Sequence, residues 1–233
     1  MAEDFDLASL ATYLHLTPQQ VDRLASRGKI PGRKLGGEWK FSEAEIHHWM
    51  EERMGLLEDD ELQKMEVSLA ATSENPDVEI PLREMLSPET IAYPLEARTK
   101  NAVITKVCEL ATATGMLWDS EKMAEAVRAR EQLQTTAMDN GVALLHPRRP
   151  MEGILGQAVM ALGRVDNGIP FGGSRSLTDT FFLICSVTDR GHLRTLARVS
   201  RLLMAEGFLD GLREQPDAKA IYQYICDAED ELA

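Results

Sequence analysis

Apolar residues in the first fifty positions fall at helical spacing and are broken by clear stop signals. The stretch Leu7–Leu14 carries one apolar face and ends at His15-Leu16. Thr17 follows as an N-cap, with Pro18 at the first helical position and Gln20 three residues after the cap, the arrangement of a capping box. A second helix is therefore predicted over Pro18–Ser26, with Val21, Leu24 and Ala25 inward and Gly28 as its stop. Two short helices joined by a tight turn form a helix-turn-helix. Next, Lys29–Leu35 reads as the entry to a short strand, Gly36-Gly37 as a hairpin turn, and Glu38–Phe41 as the returning strand. Ser42 with Glu45 predicts a third capped helix, whose apolar face is Ile46, Trp49 and Met50.

The pattern changes twice further on. Residues 54–80 hold eight acids against Lys64, with a short acidic helix expected over Leu57–Ala71 and a breaking cluster at Ser73–Asp77. Beyond Pro81, strands and helices alternate. A short strand is expected at Ile91–Leu95. A helix capped by Thr99 runs to about Thr114 and stops at Gly115, with Ala102, Val103, Val107, Leu110 and Ala111 inward. Ser120 is expected to cap a helix ending near Arg130. Strand-length apolar runs follow at Val142–Leu145, Ala158–Leu162 and Phe181–Val187. The last, FFLICSV, reads as a central strand buried on both faces. Helices are expected over His192–Met204, Phe208–Arg213 and Asp217–Ala228. Such interleaving indicates a layered α/β domain.

The chain has 233 residues and 25.9 kDa, enough for two small domains. Its formal charge of −13, from 25 basic and 38 acidic residues, argues at first against a nucleic-acid partner. The charge is uneven, however. Between Arg23 and Lys40 stand six basic residues and one acid, a net +5 that leaves −18 on the rest of the chain. A basic window inside an acidic chain suggests a separate module with an anionic partner. A hydrophobic share of 44% excludes a disordered chain. No run of 18 apolar residues is present, and the acidic start MAEDFDLASL is unlike a secretory leader, so a cytoplasmic location without membrane insertion is expected. Cys108, Cys185 and Cys226 are widely spaced, without a CxxC pair, and are expected to be reduced. His47 and His48 are adjacent and face different sides of a helix, so they do not make an i, i+4 metal pair, and no metal is expected.

The order and spacing of L-A-x-x-L-x-L-T-x-x-x-V-x-R-L, R-G-x-I-P and K-L-G-G-E-W-K-F-S, followed by Ile46 and Trp49, resemble the excisionase and MerR-like winged helix-turn-helix family over about residues 5–53. The resemblance implies that the second helix enters the major groove and the wing touches the backbone or minor groove. By position, Gln19, Gln20 and Arg23 would face base edges, where Gln and Arg make bidentate contacts. Arg27, Arg33, Lys34 and Lys40 would lie near phosphates, which position without specifying. Trp39 and Phe41 are expected to pack. Asp22, in the same helix, departs from this in charge.

In the second half, His146 follows a strand and precedes Pro147, a common place for chemistry in α/β proteins, while His192 is expected at a helix start, where unpaired N–H groups gather. Ala129-Arg130-Glu131, Thr136–Gly141, Val142–His146, Ile169-Pro170-Phe171, the FFLICSV strand and His192–Ala197 occur in an order that resembles the enzyme IIA domain of the bacterial phosphoenolpyruvate-dependent phosphotransferase system, of the fructose, mannitol and nitrogen-regulatory type, over about residues 82–228. That resemblance implies a mixed sheet flanked by helices. It puts the phosphoryl-accepting histidine at His146, a second active-site histidine at His192 and an arginine at Arg130. A neutral imidazole is a competent nucleophile near neutral pH, and Arg130 and His192 can donate to the charged phosphoryl oxygens. The chain departs from the family's loop, roughly T-G-x-G-N-G, by Ala137 and Asp139 in place of two glycines. Leu145 replaces the usual proline, and Pro147-Arg148-Arg149 follows the histidine.

The expected organisation is a mostly α winged helix-turn-helix at 1–53, an acidic, partly helical linker at 54–81, and an α/β enzyme IIA-like domain at 82–233. The expected function is DNA-binding regulation by a phosphotransferase-type domain that takes a phosphoryl group on His146 from the phosphocarrier HPr or a paralogue. The expected partners are DNA, that carrier and a second copy of the chain, and no cofactor is expected. Two other readings stand beside this one: an enzyme IIA relay donating to a sugar permease, and a regulator that senses a ligand or protein without phosphorylation.

Overall fold

The computed structural model describes residues 4–14, 16–54, 63, 81–172 and 176–232. The chain divides into two compact units, Met1–Glu79 with Leu196–Arg201, and Ile80–Thr195 with Leu202–Ala233. His15, the Ser73–Asp77 breaker and, apart from Gln63, the acidic helix expected over Leu57–Ala71 lie outside the described residues.

The first unit opens with α1 (Leu7–Tyr13) and α2 (Pro18–Ser26). α2 begins where its capping box dictates. Thr17 Oγ1 accepts from the Gln20 N–H at 3.3 Å, and Gln20 Oε1 accepts from the Thr17 N–H at 2.8 Å. After α2, β1 (Arg33–Leu35) and β2 (Glu38–Lys40) pair antiparallel, Lys34 opposite Trp39. Gly36 and Gly37, at φ +63° and +91°, form a turn that side-chain-bearing residues adopt only with strain. α3 (Glu43–Met54) follows. The core of this unit gathers Leu10, Tyr13, Val21, Ala25, Ile30, Phe41, Ile46 and Met50, with Leu24 and Trp49 only half-buried. His47 is buried with its Nε2 2.9 Å from the Tyr13 hydroxyl.

The second unit is a four-stranded mixed sheet with helices packed on it. Its strands are β3 (Ile91–Ala92), β4 (Val142–Leu145), β5 (Val159–Ile169) and β6 (Thr178–Cys185), in spatial order β3-β5-β6-β4. β3 runs parallel to β5, β5 antiparallel to β6, and β6 parallel to β4. On one face, α5 (Lys100–Ala111) and α6 (Ser120–Leu133) close the main apolar cluster over Ala143, Leu145, Ala161, Phe181 and Leu183. Elsewhere in the unit, α4 (Leu82–Met85) packs against β5 and α9 (Ala218–Glu231) against β3. α7 (Asp189–Met204), whose Leu196–Arg201 groups with the first unit, and α8 (Phe208–Glu214) follow β6 in the chain.

Several elements differ from their sequence expectation. β3 stops after two residues because Pro94 has no N–H to give, and pairing resumes only at the Leu95 N–H to Arg164 O bond of 2.7 Å. β5 runs to Ile169 rather than Leu162. Its polar continuation hides a strand that β6 pairs at Arg164 and again at Ile169, with Asp166 and Asn167 in the irregular stretch between them. β6 starts earlier, at Thr178, and ends at Cys185. The cap of α6 is Asp119, whose carboxylate accepts from the Lys122 N–H at 2.9 Å, so Ser120 is the first helical residue, and the helix continues to Leu133. Ile104 and Cys108 occupy the buried stripe of α5, while Ala102 and Leu110 sit at its margin. All three cysteines are free and buried. Burial pushes the Cys108 thiol up to about 12 and holds that of Cys185 well above the ordinary range.

Candidate functional site

His146 stands one residue beyond β4, directly after the fully buried Leu145. Its Nδ1 lies 2.8 Å from the carbonyl oxygen of Leu144. A carbonyl can only accept, so Nδ1 carries the proton and the lone pair of the neutral ring is on Nε2. The His192 ring faces it, with centroids 4.8 Å apart and planes tilted by 54°. Both histidines are buried. His192 is not the helix start that the sequence suggests. The Thr188 hydroxyl accepts from the Gly191 N–H at 3.0 Å and so starts α7 a turn earlier, and the His192 N–H is bonded to Thr188 O at 3.0 Å. Gly191 in the first turn masked that beginning.

Arg130 and Glu131 occupy the last turn of α6, at the root of the loop that leads to β4. Arg130 Nη1 donates to Gln134 O at 2.9 Å. Glu131, not singled out from the sequence as a site residue, organises the loop. Its Oε1 accepts from the Thr136 N–H at 2.8 Å and from the Thr136 hydroxyl, and its Oε2 accepts from the Thr135 hydroxyl and pairs with Lys100 Nζ at 2.8 Å. Lys100 also donates to Phe171 O at 3.2 Å and sits 4.6 Å from the centre of the Phe171 ring. The only sequence signal for this latch was an acid beside Arg130.

The loop itself folds as a small hairpin against β4. Ala137 bridges Ala143, and the Met138 N–H reaches Val142 O at 2.8 Å. Ala137 therefore has strand-like pairing, which an L-residue adopts without strain. The left-handed position is Gly141, at φ +87°, and there the glycine is kept. Arg213 of α8 covers it, donating to Asn140 O at 2.7 Å and pairing with Asp179 at 3.0 Å. Arg148 and Arg149 are exposed.

In the first unit, Gln19, Gln20, Arg23, Arg27, Arg33 and Lys34 are exposed and Lys40 is half-buried. Gln19, Gln20 and Arg23 lie on α2, while Arg33, Lys34 and Lys40 lie on the β1–β2 wing. Gln20 Oε1 is engaged in the cap, so a bidentate adenine contact, which needs both amide atoms, would require the cap to open. Arg33 pairs with Asp4 at 3.2 Å. Lys34 Nζ lies 4.9 Å over the Trp39 ring, and Trp39 Nε1 donates to Asp22 Oδ1 at 2.8 Å.

Residues 84–228 match the family model described as phosphoenolpyruvate-dependent sugar phosphotransferase system, EIIA 2, and residues 5–54 match a helix-turn-helix domain model. The chain belongs to that EIIA family and carries a helix-turn-helix domain ahead of it. A nitrogen regulatory protein of Bradyrhizobium diazoefficiens is 31% identical over 152 residues, which cover 63% of this chain and 95% of that protein. The fructose-specific EIIABC component of Bacillus subtilis is 26% identical over 147 residues, 62% of this chain but only 23% of that longer protein. In fold, the crystal structure of nitrogen regulatory protein IIA-Ntr from Neisseria meningitidis superposes with a TM-score of 0.56 at 19% identity, covering 62% of this chain and 98% of that one. Among the described residues, no helix is long and apolar enough to cross a membrane.

Proposed function

We propose that this chain is a DNA-binding regulator whose IIA domain takes a phosphoryl group on Nε2 of His146 from an HPr-like phosphocarrier. The observation that carries the reading is the 2.8 Å contact from Nδ1 to the Leu144 carbonyl, which leaves the nucleophilic lone pair on the far nitrogen. In the step, that lone pair attacks the phosphorus of a phosphohistidine on the carrier. The P–N bond of the carrier breaks and its electron pair returns to the carrier's imidazole, while a new P–N bond forms on His146. The phosphorylated ring is cationic, and the Leu144 carbonyl accepting from its Nδ1–H stabilises that charge. His192 and Arg130 are the proposed donors to the phosphoryl oxygens, the first from its facing ring and the second from the root of the loop. Because both rings are buried, transfer requires the Nε2 edge to be uncovered as the carrier docks. The new phosphoryl group adds up to about two negative charges, which would alter DNA affinity or assembly with a second copy.

Incubation with phosphoenolpyruvate, enzyme I and HPr tests this. An acid-labile phosphate, lost in His146→Ala, is expected, and absence of label in the wild type removes every phosphoryl reading and leaves sensing by binding alone. The likeness to a fructose-specific EIIABC component supports the relay reading, in which label passes onward to a IIB domain. DNA binding is tested separately. Wild type is expected to bind duplex DNA more tightly than Arg23→Ala combined with Arg33→Ala, and equal weak binding by both removes the regulator reading.

A further inference from the structure

Asp22 is an anomaly for a helix proposed to enter a DNA groove. It is exposed, it lies on α2 between Gln20 and Arg23, and its carboxylate would repel phosphates. The wing presents the opposite problem. β1 and β2 pair over only three residues each, and β1 is exposed throughout. A two-stranded ribbon of that size is marginal in water unless something anchors it. At its base, Phe41 is fully buried and exchanges two backbone hydrogen bonds with Phe5, at 2.8 and 2.9 Å. Beyond that anchor, Trp39 stacks on Phe41 with centroids 5.7 Å apart and gives its Nε1–H to Asp22. Lys34, directly across the ladder, rests its ammonium over the same indole.

We propose that Asp22 is a positioning residue that clamps the wing to the recognition helix through Trp39 Nε1, and thereby sets where Lys34 meets the phosphate backbone. The proposal rests on the DNA-binding reading for its functional half. The clamp itself is independent of that reading.

Electrostatics and clamping predict opposite signs, which makes the test sharp. Asp22→Asn removes the charge but keeps an Oδ1 acceptor, whereas Asp22→Ala removes both. Affinity for a labelled mixed-sequence duplex is measured by fluorescence anisotropy, with circular dichroism to verify folding. Asp22→Asn is expected to bind more tightly than wild type. Asp22→Ala is expected to bind about fivefold more weakly than Asp22→Asn, although both have lost the same charge. Trp39→Phe keeps an aromatic ring without the N–H, and in that background the two Asp22 variants should bind alike. The Trp39 indole N–H resonance, assigned by its loss in Trp39→Phe, should shift in Asp22→Ala and return towards its wild-type position in Asp22→Asn. Equal affinities for Asp22→Ala and Asp22→Asn in the wild-type background overturn the proposal, as does an indole resonance that ignores Asp22→Ala. Should Arg23→Ala with Arg33→Ala show that DNA is not the ligand, the indole resonance still decides the clamp without DNA.

Discussion

Glu131 shows how one side chain can hold a loop. It is buried and accepts from the Thr136 N–H while pairing with Lys100. Replacing it with alanine leaves that N–H without its acceptor and removes the ammonium's carboxylate partner, so Glu131→Ala is expected to cost about 2 kcal/mol in urea unfolding of the IIA domain. It should also slow labelling of His146, while Glu131→Gln retains most of the stability. Cys108 gives a prediction in pH. Its folded thiol titrates at about 12 against an ordinary 9.0, so the native state keeps a proton that the unfolded chain releases. That contribution is complete below about pH 9 and is lost as pH rises towards 12, on the order of 4 kcal/mol in all. Stability measured across this window should fall less steeply in Cys108→Ala than in wild type. The residues of the candidate site were unequally legible. His146 and His192 announce themselves by type and by their neighbours in sequence. The latch at Glu131 does not, because its partners Lys100 and Thr136 are set by how the loop returns along β4. Asp22 could be recognised as out of place, but its partner Trp39 is brought near only by the wing.

At the level of elements, the sequence was clearest wherever a cap stood beside an apolar stripe. α2 begins and ends where Thr17, Pro18 and Gly28 place it, since those residues act on the adjacent backbone alone. Thr17→Ala is therefore expected to cost about 1 kcal/mol of helix-turn-helix stability. The Gln20 amide should exchange faster in hydrogen–deuterium experiments, because Thr17 Oγ1 is one of its acceptors. Elements defined by a partner elsewhere were harder to see. The outer half of β5 carries Arg164, Asp166 and Asn167 and looks like loop until β6 pairs with it at Arg164 and Ile169. The start of α7 was obscured by Gly191, although the Thr188 hydroxyl caps it.

For the molecule as a whole, the net charge of −13 is a poor guide and its distribution a good one. Four cations, Arg27, Arg33, Lys34 and Lys40, are proposed to lie near phosphates, with Arg23 at base edges. A slope of log affinity against log salt no steeper than about −3.6 per copy is then expected. Titrations of the wild type at several salt concentrations measure it directly, and a much steeper slope would mean that other surfaces take part. The acidic remainder of the chain should keep binding to arbitrary DNA weak.

The sheet order also has a kinetic meaning. β5 and β6 are antiparallel and consecutive, and they form the middle of the sheet. β4 reaches it only as a parallel neighbour of β6, with Leu145 opposite Leu183, and β3 only as a parallel neighbour of β5, with Ile91 opposite Leu162. Parallel contacts between residues so distant in sequence require long loops to close first, and they form late for that entropic reason. The strand that presents His146 is thus an outer addition to a sheet already begun. A chain stalled during folding would hold a paired β5–β6 centre and still lack the strand that carries His146.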